Sequence, residues 1–321
     1  MAEFGVPLPR RSVDLRSIAQ ARDDWLARLR SSSRSKSALT AYRVALDDLL
    51  AFLEERPSTA PFAESTIVAY FDGYRERARP AAATYYRRFT LLRNFFRWLS
   101  RRAGLPDPFL ELAAPKKPQQ EAAWLTPDEF ARLLAAACSP LRRRAGLAER
   151  DRLVLLALVA TGLRRSELIA LDWADLELDG SRPSLLVRAG KGGRPRRQPL
   201  PAQLARELSQ LRGSLDAAAE DPVFCGLAGG RLQPTILANL IRRAADGAAL
   251  DKHVTAHTLR HTAATWLRQE TGDARLVAAY LGHADLSTVR RYAHVAPDEL
   301  HLAAEAIARS GDLETALSRS A

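Results

Sequence analysis

Four short stretches in the second half of this 321-residue chain carry cationic or proton-transferring side chains, each at a boundary where they could converge on a cleft. The first reads Thr-Gly-Leu-Arg-Arg-Ser-Glu over 161–167. It sets Arg164 just after an apolar run, with Ser166 and Glu167 placed to cap or salt-bridge the next helix. The second, a glycine-rich turn, packs Arg188, Lys191, Arg194, Arg196 and Arg197 into ten residues, a cation density that suits contact with phosphate. It lacks the GxxxxGK[ST] order and the following helix of a nucleotide-binding loop, so ATP is not expected. The third places His257, Arg260 and His261 three and four residues apart, on one helical face. An HxxxH pair could hold zinc, but Thr258 stands where a metalloprotease has its general-base Glu and no third ligand is evident; no metal is expected. In the fourth, Gly282 ends a helix, Asp285 or Ser287 can cap the next, His283 sits at the junction and Tyr292 follows. Tyr42, Tyr70, Tyr74, Tyr85 and Tyr86 all lie far upstream, and Tyr280 shares an apolar stripe with Leu276. Tyr292 alone has a polar, cationic neighbourhood. Taken singly, each stretch also has a structural reading: an arginine bonding carboxylates, a solubilising turn, a solvated helix face.

The elements that must position these groups follow from periodicity. Three amphipathic segments are readable between residues 31 and 99, the first with Leu39, Tyr42, Leu46, Leu49, Leu50 and Leu53 at helical spacing. The third, 84–99, aligns Tyr85, Phe89, Leu92, Phe96 and Leu99, while Arg93, Arg97 and Arg101 recur every fourth residue on another face. Were the partner DNA, Arg93 and Arg97, with Arg194 and Arg196, would be the candidate contacts. Residues 113–122 have no apolar period and hold two prolines, which marks a connection between domains. Thr126 then reads as an N-cap, with Pro127 at the first helical position and Glu129 at the third. The nearly continuous apolar run 152–160 predicts a buried helix ended by Gly162. Residues 185–187 and 198–200 predict two short strands flanking the basic turn, and helices resume over 235–244, 258–269 and 274–280. A last helix, 297–307, has Leu300, Leu302, Ala303 and Ile307 as its apolar set.

Composition narrows the partner. The net charge of +11 and isoelectric point near 10.2 call for a polyanion, nucleic acid or an anionic membrane surface. Residues 1–115 carry 19 basic against 13 acidic side chains and the remainder 29 against 24, so the excess is +6 and +5 and both halves could touch DNA. No apolar run long enough to span a bilayer exists, and Met1 is followed by Ala-Glu-Phe-Gly rather than a leader pattern, so a cytoplasmic protein is expected. Cys138 and Cys225 lack CxxC spacing and read as two buried, inert thiols.

In their order and spacing, the box at 161–167, the hairpin lysine Lys191, the His257-to-Arg260 box and the His283–Tyr292 pair resemble the tyrosine recombinases, the family of phage-type integrases and Xer-type recombinases. The resemblance covers essentially the whole chain. It implies a mainly α fold with a small antiparallel β-sheet in the catalytic domain, arranged as a two-domain C-shaped DNA clamp. The domains would be a SAM-like helical DNA-binding domain at 1–115, a linker at 116–122 and a catalytic domain at 123–321. It also implies that Tyr292 attacks a scissile phosphodiester to leave a 3′-phosphotyrosine, with the bond energy retained and no cofactor needed. The residue chemistry agrees, since a phenol of pKa about 10 needs a base and the leaving alkoxide needs an acid. His257 is then the candidate base and Lys191 the acid. Arg164 and Arg260 offer bidentate donors to the non-bridging oxygens, His283 adds a hydrogen bond, and Glu167 supports the arginines. The implied partners are double-stranded DNA with paired half-sites and a homo-tetramer on that DNA, and the resemblance leaves room for a second recombinase or accessory protein. The helix at 297–307 would either be donated to a neighbouring protomer or pack on its own domain. No His-Pro-Arg-Ala ending follows Tyr292, which favours an integrase or a divergent Xer-type enzyme. A type IB topoisomerase would use nearly the same residues, and a catalytically silent DNA-binding module would keep the fold; neither an RNA-binding nor a membrane-binding reading explains the four stretches.

Overall fold

The computed structural model describes residues 15–32, 36–56, 60–118, 123–138, 147–188, 195–226, 229–282 and 295–311. The chain forms two compact units, 1–120 and 121–321, each with its own apolar core. No helix among the described residues is long and apolar enough to cross a membrane.

Unit 1 is helical: α1 Leu15–Ser31, α2 Lys36–Glu54, α3 Glu64–Ala78 and α4 Ala82–Ala103. The three segments expected between 31 and 99 are α2 to α4. The additional α1 buries Ile18, Ala21, Trp25 and Leu29 at helical spacing, a stripe that its interleaved charges obscure in sequence. The core is unusually aromatic: Phe89, Phe96 and Phe71 surround Phe109, and Trp25 meets Phe95 edge-on. Gly104, at φ +66°, ends α4, its N–H returning to the Ser100 carbonyl. Not every arginine on α4 is free for a ligand. Arg88 pairs with Asp48 and donates to the Tyr70 hydroxyl at 2.9 Å, while Arg93, Arg97 and Arg101 have no carboxylate partner among the described residues. Arg97 and Arg101 are exposed; Arg93 is half-buried.

Unit 2 begins with α5, Pro127–Ala137, whose expected N-cap is present. Thr126 Oγ1 accepts from the Glu129 N–H at 3.2 Å, and Glu129 accepts from the Thr126 N–H at 2.8 Å. Helix α6, Leu147–Thr161, is the spine, buried on all sides along the predicted apolar run. The short α7, Arg165–Ile169, follows. The β-sheet has three strands rather than two: β1 Leu176–Glu177, β2 Ser184–Val187 and β3 Arg196–Pro199, antiparallel in the order β1-β2-β3. A two-residue strand shows no alternation, which is why only β2 and β3 are legible. Register pairs Leu185 with Gln198 and Val187 with Arg196. Helices α8 Ala202–Leu215, α9 Pro234–Gly247, α10 Ala256–Thr271, α11 Ala274–Tyr280 and α12 Pro297–Ser310 complete the unit.

Helix α12 packs on α10, α11, α6 and β3 of its own unit through Ala303, Ala304, Ala306, Ile307 and Ala308. Leu302, assigned to its apolar set from sequence, is 68% exposed, because the buried face turns one residue further toward the alanines. Both cysteines are half-buried rather than buried; Cys138 ends α5 and Cys225 lies in a loop bridge to Arg231.

Candidate active site

Helix α6 stops where the chain must turn sharply. Gly162 has φ +60°, and a Cβ there would lie 2.4 Å from Leu281 Cδ2, so both the backbone and the space demand glycine. The turn delivers Arg164 to the N-cap of α7. Glu167, at the third helical position, accepts the Arg164 backbone N–H at 2.9 Å and Arg164 Nη1 at 2.7 Å.

The same carboxylate is gripped from the other side. Arg196 of β3 donates Nη1 to Oε1 at 3.1 Å and Nη2 to Oε2 at 2.9 Å, so one anion bridges two guanidinium groups. The Glu167 side chain is only 3% exposed. Burial alone would raise its pKa, but the hydrogen bonds from Arg196 and then Arg164 outweigh it and hold the carboxyl at about 2.

Helix α10 supplies the other groups. Thr255 caps it, accepting the Thr258 N–H at 3.2 Å, so that His257 falls in the first turn and Arg260 one turn later. Deeper anchoring comes from Trp266 Nε1, which donates to the Leu125 carbonyl at 3.0 Å, and from Thr262 Oγ1, which accepts the Leu125 N–H at 3.0 Å. Arg260 is buried, its Nη1 on the Gly162 carbonyl and its Nη2 on the Leu281 carbonyl at 2.6 Å. Two of its five N–H donors are thus committed to aiming it, leaving the rest for a ligand. Burial, then the charge of Arg164, pull Arg260 down to about 10, so it remains a cation at neutral pH.

His257 is exposed, and its Nε2 lies 2.9 Å from Nε2 of half-buried His261. Burial first, then the charges of His257 and Arg260, lower the pKa of His261. Among the described residues no group of three or more His, Cys, Asp or Glu side chains could hold a metal. Arg164, His257 and Arg260 line one cavity of about 500 Å³, together with Asn239 and Arg242 of α9. Three guanidinium groups against one carboxylate leave this region with a positive surplus, suited to an anion with several oxygens.

The structure therefore brings together Arg164, Glu167, His257 and Arg260, and adds Arg196. The hairpin cations are less free than the sequence suggested. Arg188 donates to Asp175 at 2.6 Å and Asp172 at 2.8 Å, Arg197 pairs with Glu177, and Arg196 is turned onto Glu167 rather than toward solvent. The alternation on β3 places Arg196 and Arg197 on opposite faces, a signal present in the sequence; which carboxylate each would meet was not. Arg93 and Arg97 belong to unit 1. Lys191, Arg194, His283 and Tyr292 lie outside the described residues.

The model of the phage integrase family matches residues 123–299, and that of the phage integrase N-terminal SAM-like domain matches residues 23–103. A tyrosine recombinase XerC of Xanthomonas axonopodis pv. citri (strain 306) is 32% identical over 295 residues, covering 88% of this chain and 93% of the relative. Among solved structures, XerH site-specific recombinase bound to a palindromic difH substrate in a post-cleavage complex gives a TM-score of 0.66 at 20% identity. That match covers 88% of this chain and 81% of the other. A lambda integrase tetramer bound to a Holliday junction gives 0.65 at 21% identity, covering 84% and 77%. At these identities the two structures establish a shared fold.

Proposed function

The chain belongs to the phage integrase family and is an Xer-like tyrosine recombinase, and on that footing we propose how its residues divide the work of site-specific strand exchange. Tyr292 attacks the scissile phosphodiester, forming a 3′-phosphotyrosine and releasing a 5′-hydroxyl. That hydroxyl later attacks the matching linkage of a partner strand, so the phosphodiester energy is conserved. His257 takes the phenol proton and Lys191 returns one to the leaving oxygen. Arg164 and Arg260 bind the non-bridging oxygens as negative charge grows on them, and His283 adds a further donor. Glu167 holds the arginines in place.

The observation that carries this reading is the convergence of Arg164, Arg260 and His257 on one cavity, with Arg260 aimed by the carbonyls of Gly162 and Leu281. Pre-aimed donors cost no reorganisation at the moment of reaction. Residues 1–115 serve as a DNA-binding domain, 116–122 as the connection and 123–321 as the catalytic domain. Arg93, Arg97 and Arg194 contact the DNA backbone. The substrate is double-stranded DNA with paired half-sites in the cytoplasm, held by four copies of the chain; the shared fold with the lambda integrase tetramer supports that assembly. A second recombinase or accessory protein is compatible with it.

The test is a nicked suicide duplex carrying candidate sites, incubated in EDTA without ATP. Wild type should give a denaturation-resistant protein–DNA adduct and Tyr292→Phe none. An adduct that persists in Tyr292→Phe would remove Tyr292 from the reaction.

A further inference from the structure

Arg196 lies where three segments of the site meet. It sits on β3, five residues after Lys191 in the chain, and both its Nη atoms hold the Glu167 carboxylate that also receives Arg164. Its other side is packed against backbone. A Cβ at Gly282 would lie 2.8 Å from Arg196 Nε, 3.0 Å from Cδ and 3.1 Å from Cζ, and Gly282 has φ +61°. A flexible arginine tip could ordinarily move aside, but this one is pinned by a two-point ion pair, so the glycine is what makes room for it. Gly282 follows Leu281, whose carbonyl aims Arg260, and precedes His283. Arg196 Nε, buried and without a hydrogen-bond partner among the described residues, faces this turn. The side chain is held there by the carboxylate, at the expense of a donor that solvent would have satisfied.

We propose that Arg196 is a positioning residue for strand cleavage and not a contact to the DNA backbone. By gripping Glu167 and backing onto Gly282, it sets the spacing between the Arg164–Glu167 pair and the turn from which the chain proceeds to His283 and Tyr292. Gly282 is the other half of the device. The proposal rests on Tyr292 being the nucleophile.

The experiment uses the full chain, the nicked duplex, and two separate readouts: affinity for DNA, and the single-turnover rate of adduct formation at saturating DNA. Arg196→Ala should slow the rate at saturation by about 100-fold, the order expected when reacting groups are misplaced by about an ångström. Its affinity should stay within about twofold of wild type. Arg196→Lys, one cation that cannot hold both carboxylate oxygens, should recover part of the rate. Gly282→Ala should slow the reaction as well, and the double variant Arg196→Ala/Gly282→Ala should be within about twofold of the slower single variant, because both changes break one contact.

The opposite pattern would overturn the inference: Arg196→Ala reacting at the wild-type rate once saturated, with weaker binding and a salt dependence reduced by about one counterion. Losses that multiply in the double variant would overturn it too. Should Arg196→Ala fail to fold, Arg196→Lys and Gly282→Ala decide the same split between rate and affinity. Absence of an adduct from wild type would instead sink the assignment of Tyr292.

Discussion

Glu167 is the one carboxylate paired with Arg164 and Arg196 among the described residues, and much of the site's electrostatics passes through it. Its folded pKa of about 2 lies below its ordinary value of 4.5, so its contribution to stability is fully present above about pH 4.5 and is lost as pH falls toward 2. Glu167→Gln leaves two guanidinium groups facing each other with a neutral amide between them. Urea unfolding at pH 7 should show a loss of about 2 kcal/mol, and the fall in stability between pH 4.5 and 2 should be shallower than in wild type. Strand cleavage should slow without being abolished, since the carboxylate acts through the arginines. A variant as stable as wild type across that range would mean that the two ion pairs do not hold the site.

Helix α10 carries His257 and Arg260, and one of the two side chains that anchor it to Leu125 is small. Thr262 is fully buried and accepts the Leu125 N–H. Thr262→Val keeps the shape but strands that donor, so chemical denaturation should report a loss of about 2 kcal/mol, with cleavage by the remaining folded protein little changed. Unchanged stability would show that the Leu125 amide finds another partner. The body of this helix was legible because the HxxR spacing is local, as were the cap of α5 and the apolar run of α6; its start at Ala256 lies two residues before the expected 258. Contacts across long separations were not legible. Nothing local says that Arg196 will meet Glu167, 29 residues away, or that Arg188 will be neutralised by Asp172 and Asp175, because hairpin register decides both. The alanine face of α12 was equally hard to read, since alanine is common on either side of a helix; the more apolar Leu302 drew the stripe one residue out of place. Helix α1 was hidden by charges between its buried positions, and β1 by its length of two residues.

Across the whole molecule, a net charge of +11 divided between both halves means that DNA affinity should be governed by counterion release. With roughly six phosphates contacted, binding should weaken on the order of a thousandfold between about 50 and 200 mM salt. Arg97→Gln should flatten that dependence by about one ion while leaving sequence preference intact, as titrations at several salt concentrations would show. An unchanged slope would remove Arg97 from the DNA interface. The division into two cores also orders the birth of the protein on the ribosome. All of the core residues of unit 1 have been made once Phe109 is added, whereas the interior of unit 2 stays open on the α6 and α10 side until Ala303 to Ala308 arrive. On the proposed division of roles, the half assigned to DNA binding is therefore finished well before the half assigned to cleavage, and a chain abandoned partway through translation would hold DNA without being able to break it.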